Sequence, residues 1–470
     1  MNQPSNSAII WNQWLKPALG GSAAFLLAGT VLLGGCGQKP QPASLAAGAK
    51  DGLPHNLAEL NGWYIEPPVG QNAAAFFSQG FDALRLGAAG SSTLPFLGKG
   101  PPPTPGTPLP APTKSALGAI VLSNQAALQL FAQGADCEQS RYSLDLTRGF
   151  EAVFPHLPKI RTAVQVVAVS ALVHADARDG KQAATDVLTA LGLARSLQAE
   201  PSLISQSMRA VSVSIAVAAL EQTVNRSSVT QGSLSKLFSV LQRMEAYDAR
   251  GEGFNRALAA ERITVSAMLE TPQKMLELLP APGKDLSNEE RSQIVARLQD
   301  ARNLKAEQQY GEETFRQLMT IRQTDLPERL KAGDFIQQQA ARATEKKLAL
   351  VAWLIRGLGG PLARETGCLA TLRLGLTAVA LEQFRAAHSR YPDTLSELSP
   401  EYSSSALVDP FDGQPLRYKK KAGGYLLYSI GPDLKDNSGE RMKEGQGDLA
   451  FAVVAPQNQE PGLAGPVTRR

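Results

Sequence analysis

Histidine and cysteine are scarce in this chain, with four and three copies among 470 residues. His55, His156, His174 and His388 include no pair four apart and no metal-ligand motif, which argues against a zinc centre. His156, in Pro155-His156-Leu157 near a helix start, and His174, on an apolar helix, are expected to be structural. Gly-x-Ser-x-Gly, a phosphate-binding loop and a dinucleotide fingerprint are missing too, so the common hydrolase and nucleotide-binding signatures give no lead. The net charge of +4 is near neutral for this length, and no basic stripe appears, which argues against nucleic acid as a partner.

What is present begins at the N-terminus. Met1 to Lys16 is polar and aromatic with Lys16 its only charge, and Pro17 to Gly35 is uncharged and rich in Ala, Leu and Gly. A positive n-region, an apolar stretch and small residues before a cut site are the physical form of a secretory signal. Leu33-Gly34-Gly35-Cys36 resembles the bacterial lipobox. That resemblance implies a signal peptide over 1–35 and lipid on Cys36, with several acyl chains holding the protein stably to a membrane. An uncleaved spanning helix is disfavoured by glycines at 20, 21, 29, 34 and 35. The expected location is the bacterial cell envelope, facing the periplasm. Gly37 after the cysteine resembles the outer-membrane sorting pattern. Cys137 and Cys368 then remain, to be read either as one disulfide or as two buried free thiols.

The fold class expected is mainly α: an irregular helical bundle or hairpin array, followed by a small α+β domain. Residues 36–56 read as a tether rich in Ala, Gly and Pro. Residues 57–114 read as a short helix plus a Pro-rich strap, because the prolines across 100–112 force an extended path without internal hydrogen bonds. Over 115–358 apolar residues recur at helical spacing. Around Asp179-Gly180 two such runs form an antiparallel pair resembling one tetratricopeptide-like unit, with no repeat of it. Leu203 to Val224 is apolar nearly all round and is expected at the centre of the core. Lys346 to Leu358 is apolar but too short to span a bilayer. Gly359-Gly360-Pro361 is taken to close the helical domain. Residues 362–456 then hold a helix to His388 and strands at 416–419, 424–429 and 450–454, and 457–470 reads as a disordered tail.

Ser389-Arg390-Tyr391-Pro392-Asp393-Thr394-Leu395, Asp409-Pro410-Phe411-Asp412-Gly413 and Tyr428-Ser429-Ile430-Gly431-Pro432-Asp433 are similar to the C-terminal domain of type II secretion major pseudopilins. The match covers about 90 residues. A filament subunit is not implied, because a lipobox and some 325 residues precede the matching helix. The whole layout resembles a group of planctomycete- and verrucomicrobial-type envelope proteins that brings no activity with it. The pseudopilin resemblance implies a calcium site at Asp433, Asp436 and Asp448, since calcium takes six to eight oxygens from an adaptable loop. Arg141, Asp145 and Arg148 form the remaining polar cluster, expected as a buried ion pair and, failing that, as part of a ligand pocket. The functional expectation is a non-enzymatic envelope lipoprotein acting through a protein partner, beside a secretion or pilus-like system. The alternative is a periplasmic enzyme or small-ligand binder with a cleft in the helical body.

Overall fold

The computed structural model describes residues 52–85, 93–98, 103–271, 287–299, 301–324, 326, 328–398, 407–443 and 445–454. The expected signal peptide over 1–35, Cys36 and the expected tail over 457–470 lie outside the described residues. The protein is mainly helical with one small antiparallel sheet.

Of the first helices, α1 (Leu57–Trp63) packs on the turn Leu146–Glu151 and the helix Glu252–Leu269, α2 (Ala73–Ala83) packs on α4 (Gln125–Ala135), and α3 (Ala111–Ser123) packs on the helix His156–Asp176. Glycine lets α2 and α4 touch. A Cβ on Gly80 would sit 2.4 Å from the Phe131 ring, and one on Gly134 would sit 2.5 Å from Phe77. Each helix thus gives a bare patch to the other's aromatic ring.

Next come α5 (His156–Asp176) and α6 (Gly180–Arg195), an antiparallel pair joined by a tight turn in which Asp179 caps α6 by accepting from Gln182 N. Across this pair His174 Nδ1 lies 2.8 Å from an Asp186 oxygen that also accepts from Ser170 Oγ at 2.8 Å. The Asp186 hydrogen bond raises the His174 pKa above its ordinary value against the opposing effect of burial. A raised folded-state pKa means the contact stabilises fully below about pH 6.5 and fades as pH climbs through the folded value. Asp186→Asn should therefore cost more stability at pH 5.5 than at pH 9 in urea melts. An equal loss at both would contradict the assignment.

α7 (Leu203–Arg226) is buried on most of its surface, as its apolar circumference predicts. It is also the one described helix long and apolar enough to cross a membrane, and 61% of its most apolar window is buried inside the protein. The Pro-rich segment lies across α5 and α7. Pro103 O accepts from Gln222 Nε2 at 3.0 Å, Thr104 O and Thr107 O accept from the Arg226 guanidinium, and Leu109 N donates to Asp176 at 3.1 Å. Carbonyls that a proline-rich path cannot satisfy internally are satisfied by helix side chains.

α8 (Gln231–Ala249) and α9 (Glu252–Leu269) continue the bundle. A more charged outer group follows: α10 (Asn288–Leu298), α11 (Ala301–Arg322) and α12 (Lys331–Glu345). α13 (Ala349–His388) then runs 40 residues without a break. Leu348 cannot cap it with a side chain, and Glu307 of α11 does so instead, accepting from Val351 N at 3.0 Å.

The expected boundary at Gly359-Gly360-Pro361 is thus corrected: it falls inside α13. Proline removes one helical hydrogen bond, but the buried Leu358 and Leu362 hold the helix straight through it. The same place does divide the core. Leu350 to Leu362 pack with α9–α12, whereas Cys368 to Phe384 pack with α4–α8 and the sheet. Between the two lies a polar seam. Arg322 forms a two-pronged pair with Glu365 at 2.5 and 2.5 Å, and Arg209 Nη1 meets both oxygens of Asp248 at 2.7 and 2.9 Å. A cavity of about 20 Å³ beside Arg209, whose Nε and Nη2 lack protein partners, has room for one water molecule.

Strands β1 (Arg417–Lys421), β2 (Gly424–Ser429) and β3 (Leu449–Val453) form an antiparallel meander in the order β1-β2-β3. Its outer β3 edge is closed by α7. Asn225 bonds Ala452 O at 2.8 Å and Val454 N at 2.9 Å, and Glu221 accepts from Ala452 N at 2.7 Å. The 362–456 segment is therefore built into the body, with its sheet packed on α7 and α13.

Candidate ligand-binding cleft

The sites expected from the sequence are used structurally. Asp433 accepts from Gly447 N at 2.9 Å and from Asn437 Nδ2, Asp436 from Ser438 N at 2.8 Å and Tyr428 OH, and the buried Asp448 from Gly439 N at 2.6 Å and Asn437 N. Their oxygens pin the 433–447 loop by taking backbone and side-chain donors. No group of three metal-ligating side chains occurs among the described residues, so these aspartates do not fit a calcium site.

Cys137 and Cys368 are free thiols. Cys137 Sγ leans on Gln133 O beside the end of α4, while Cys368 Sγ sits in the seam 3.4 Å from Asp248. The disulfide reading is corrected accordingly, since each sulfur already faces a different polar partner. Burial pushes the Cys368 thiol well up.

The Arg141, Asp145 and Arg148 cluster does not assemble as a buried ion pair. Asp145 caps the turn Leu146–Glu151 through Thr147 N, and Arg148 is exposed. Arg141 instead pairs with the exposed Glu66 at 2.6 Å and lies over the Tyr64 ring. Tyr142, Leu144 and Leu146 turn inward along this segment, so Arg141 and Asp145 fall on its outer side, where no buried pair forms.

Next to Arg141 is a cleft of about 490 Å³. Its floor is α8, which presents Val240, Arg243, Met244 and Tyr247. One wall is the segment Trp63 to Pro67 together with Glu138 to Ser140. The other combines the end of α6 with the first turn of α9, carrying Arg195 and Arg256. Tyr247 OH donates to Gln198 O at 3.0 Å, and burial pushes its pKa up to about 12, keeping the phenol neutral.

Behind the Tyr64 wall is a buried polar network. Glu200, fully buried, accepts from Tyr64 OH at 3.2 Å and Ser205 Oγ at 2.5 Å and lies 3.0 Å from His156 Nε2. Tyr142 stacks on His156 at 4.2 Å and shares a hydrogen bond with Ser196 at 2.9 Å. Burial, then Glu200, raises the Tyr64 phenol well above its ordinary pKa. This network fixes the cleft wall.

The charges in the cleft are not balanced. Glu138 serves Arg195 at 3.8 Å and Arg243 at 3.4 Å, and Arg195 also donates to Ala135 O and Cys137 O at 2.7 and 2.9 Å. Arg256 has no such partner among the described residues. Its guanidinium lies 3.9 Å over the Trp63 ring and donates once, to Trp63 O at 3.1 Å, while its Nε is buried without any acceptor. Glu252, one turn earlier, pairs with Arg250 instead. Burial lowers the pKa of both Arg195 and Arg256, the mark of cations held partly out of water. Ser140 Oγ is likewise buried and unpartnered on the opposite wall.

Ser140 Oγ has no hydrogen-bond partner among the described residues, and Ser196 is engaged by Tyr142 and Leu193 O. Sequence reading singled out Arg141 beside the cleft but not Trp63, Tyr64, Arg256, Glu200 or Arg195. Comparison with known proteins finds no matching family model, no similar curated protein and no similar solved structure.

Proposed function

We propose that this protein is a non-enzymatic binding protein of the bacterial cell envelope, anchored by lipid on Cys36 and capturing an anionic solute in the cleft beside Trp63. One observation carries the reading: Arg256 is a partly buried cation with a fixed orientation, an unsatisfied Nε and no carboxylate of its own. A buried charge without a partner is costly, and a ligand's negative charge relieves that cost. The envelope assignment rests on the lipobox-like Leu33 to Cys36. The tail resembling a pseudopilin domain acts here as part of the body, because its β3 edge is held by Asn225 and Glu221.

The test is a calorimetric panel of acetate, benzoate, indole-3-propionate, inorganic phosphate and a tripeptide with a free C-terminus. At least one anion should bind the wild type and lose about tenfold in affinity with Arg256→Met, the effect of one charge-assisted hydrogen bond. No binding by any member rejects the cleft as a site. Radioactive fatty-acid labelling that persists in Cys36→Ser rejects the anchor.

A further inference from the structure

Resting on that reading, we infer that the cleft selects a monocarboxylic acid with an aromatic or aliphatic body, its carboxylate held by Arg256.

Charge comes first. Three arginines and two glutamates line the cleft, a balance of one positive charge. Glu138 bridges Arg195 and Arg243, and Glu252 pairs with Arg250 outside the cleft, so Arg256 is the one lining arginine with no carboxylate bonded to it among the described residues. One unpaired guanidinium suits a single carboxylate. A phosphate dianion would set a second negative charge beside Glu138 and Glu252. Arg256 is a planar fork whose geometry matches a carboxylate, and stacking on Trp63 holds that plane still before any ligand arrives. Preorganisation of this kind lowers the entropy lost on binding.

The rest of the cleft is made for something apolar. Val240 and Met244 form its floor, Tyr64 and Tyr247 keep neutral rings against it, and Ile65 stands 66% exposed at the rim. A strongly exposed isoleucine beside aromatic walls and one unpaired cation describes a site for an amphipathic acid. At about 490 Å³ the space falls in the range of small-ligand pockets.

Calorimetry with indole-3-propionate, its neutral amide and phenyl phosphate tests this on the full-length lipidated protein in detergent. The acid should bind about 30-fold more tightly than the amide, the value of a charge-assisted pair in a partly dry site. Phenyl phosphate should bind no better than the acid. Arg256→Met should bring the acid down to the level of the amide and leave the amide unchanged, whereas Lys236→Met, at an exposed lysine of α8 outside the cleft lining, should stay within about threefold. If Arg256→Met does not fold, Arg256→Lys keeps the charge without the fork and should weaken the acid about tenfold. Equal affinities for acid and amide, tighter binding of phenyl phosphate, or indifference to Arg256 each overturn the inference. Arg256-dependent binding of a different anion from the wider panel rejects this ligand class while leaving the cleft as a site. Silence from every probe rejects both.

Discussion

Replacing Arg322 with methionine should cost about 3–5 kcal/mol of folding stability at pH 8, the range for breaking a buried ion pair from one side. Arg322 is 2% exposed, donates through both Nη atoms to Glu365 and through Nε to Asn255 at 2.8 Å, and lies over the Phe254 ring. Without it Glu365 is left in the seam with no cation bonded to it in that geometry. Burial already raises the Glu365 pKa even with Arg322 in place. In the variant the carboxyl escapes by taking a proton, so the sign is clear. A raised folded-state pKa penalises the charged form, and the penalty grows as pH rises above the unfolded value. The deficit should therefore be larger at pH 8 than at pH 5. Pairing Arg322→Met with Glu365→Leu should restore most of the loss, because an apolar pair of similar volume leaves no buried charge. Urea melts at both pH values decide it, and a loss below about 1 kcal/mol at pH 8 would mean the seam is not a structural joint.

Glu200→Ala should be of similar severity, about 3–5 kcal/mol, because it strands three buried groups at once. Tyr64 OH, Ser205 Oγ and His156 Nε2 all converge on this one carboxylate. Tyr64→Phe removes only one of those contacts and should cost about 1 kcal/mol. The two variants also separate stability from binding. Tyr64 is a wall of the cleft, so Glu200→Ala should weaken acid binding even at temperatures where it remains folded. Tyr64→Phe keeps the ring and should bind almost normally. Thermal melts and calorimetry on the same samples read both quantities. Wild-type affinity in a folded Glu200→Ala protein would detach the network from the cleft.

Much of the fold was legible in the chain because its signals are local. Helical spacing placed α5 to α9, the Asp179-Gly180 turn and the buried α7 correctly, and aromatic alternation placed β2 at residues 424–429 as observed. The proline-rich strap was legible too, since proline's missing donor dictates an extended path whatever surrounds it. Local signals also misled. Gly359-Gly360-Pro361 has the composition of a helix end, yet packing from both cores carries α13 through it. Asp433, Asp436 and Asp448 have the composition of a cation loop, yet nearby N–H groups claim their oxygens.

The cleft was hardly visible. Only its neighbour Arg141 stood out by type, whereas Arg256 meets Trp63 across 193 positions and Glu200 meets Tyr64 across 136. Nothing in the residues around Arg256 marks it as lacking a counter-charge, because that depends on which side chains other helices bring near. By itself the sequence determined the helical character of the body and the path of the strap over 103–110, both properties of short stretches and their intrinsic conformations. Tertiary structure alone decided that the two remaining cysteines stay apart, that the sheet is fastened to α7, and that one arginine on a cleft wall is left without a partner. Those outcomes depend on distances between remote residues, which pattern along a chain does not encode.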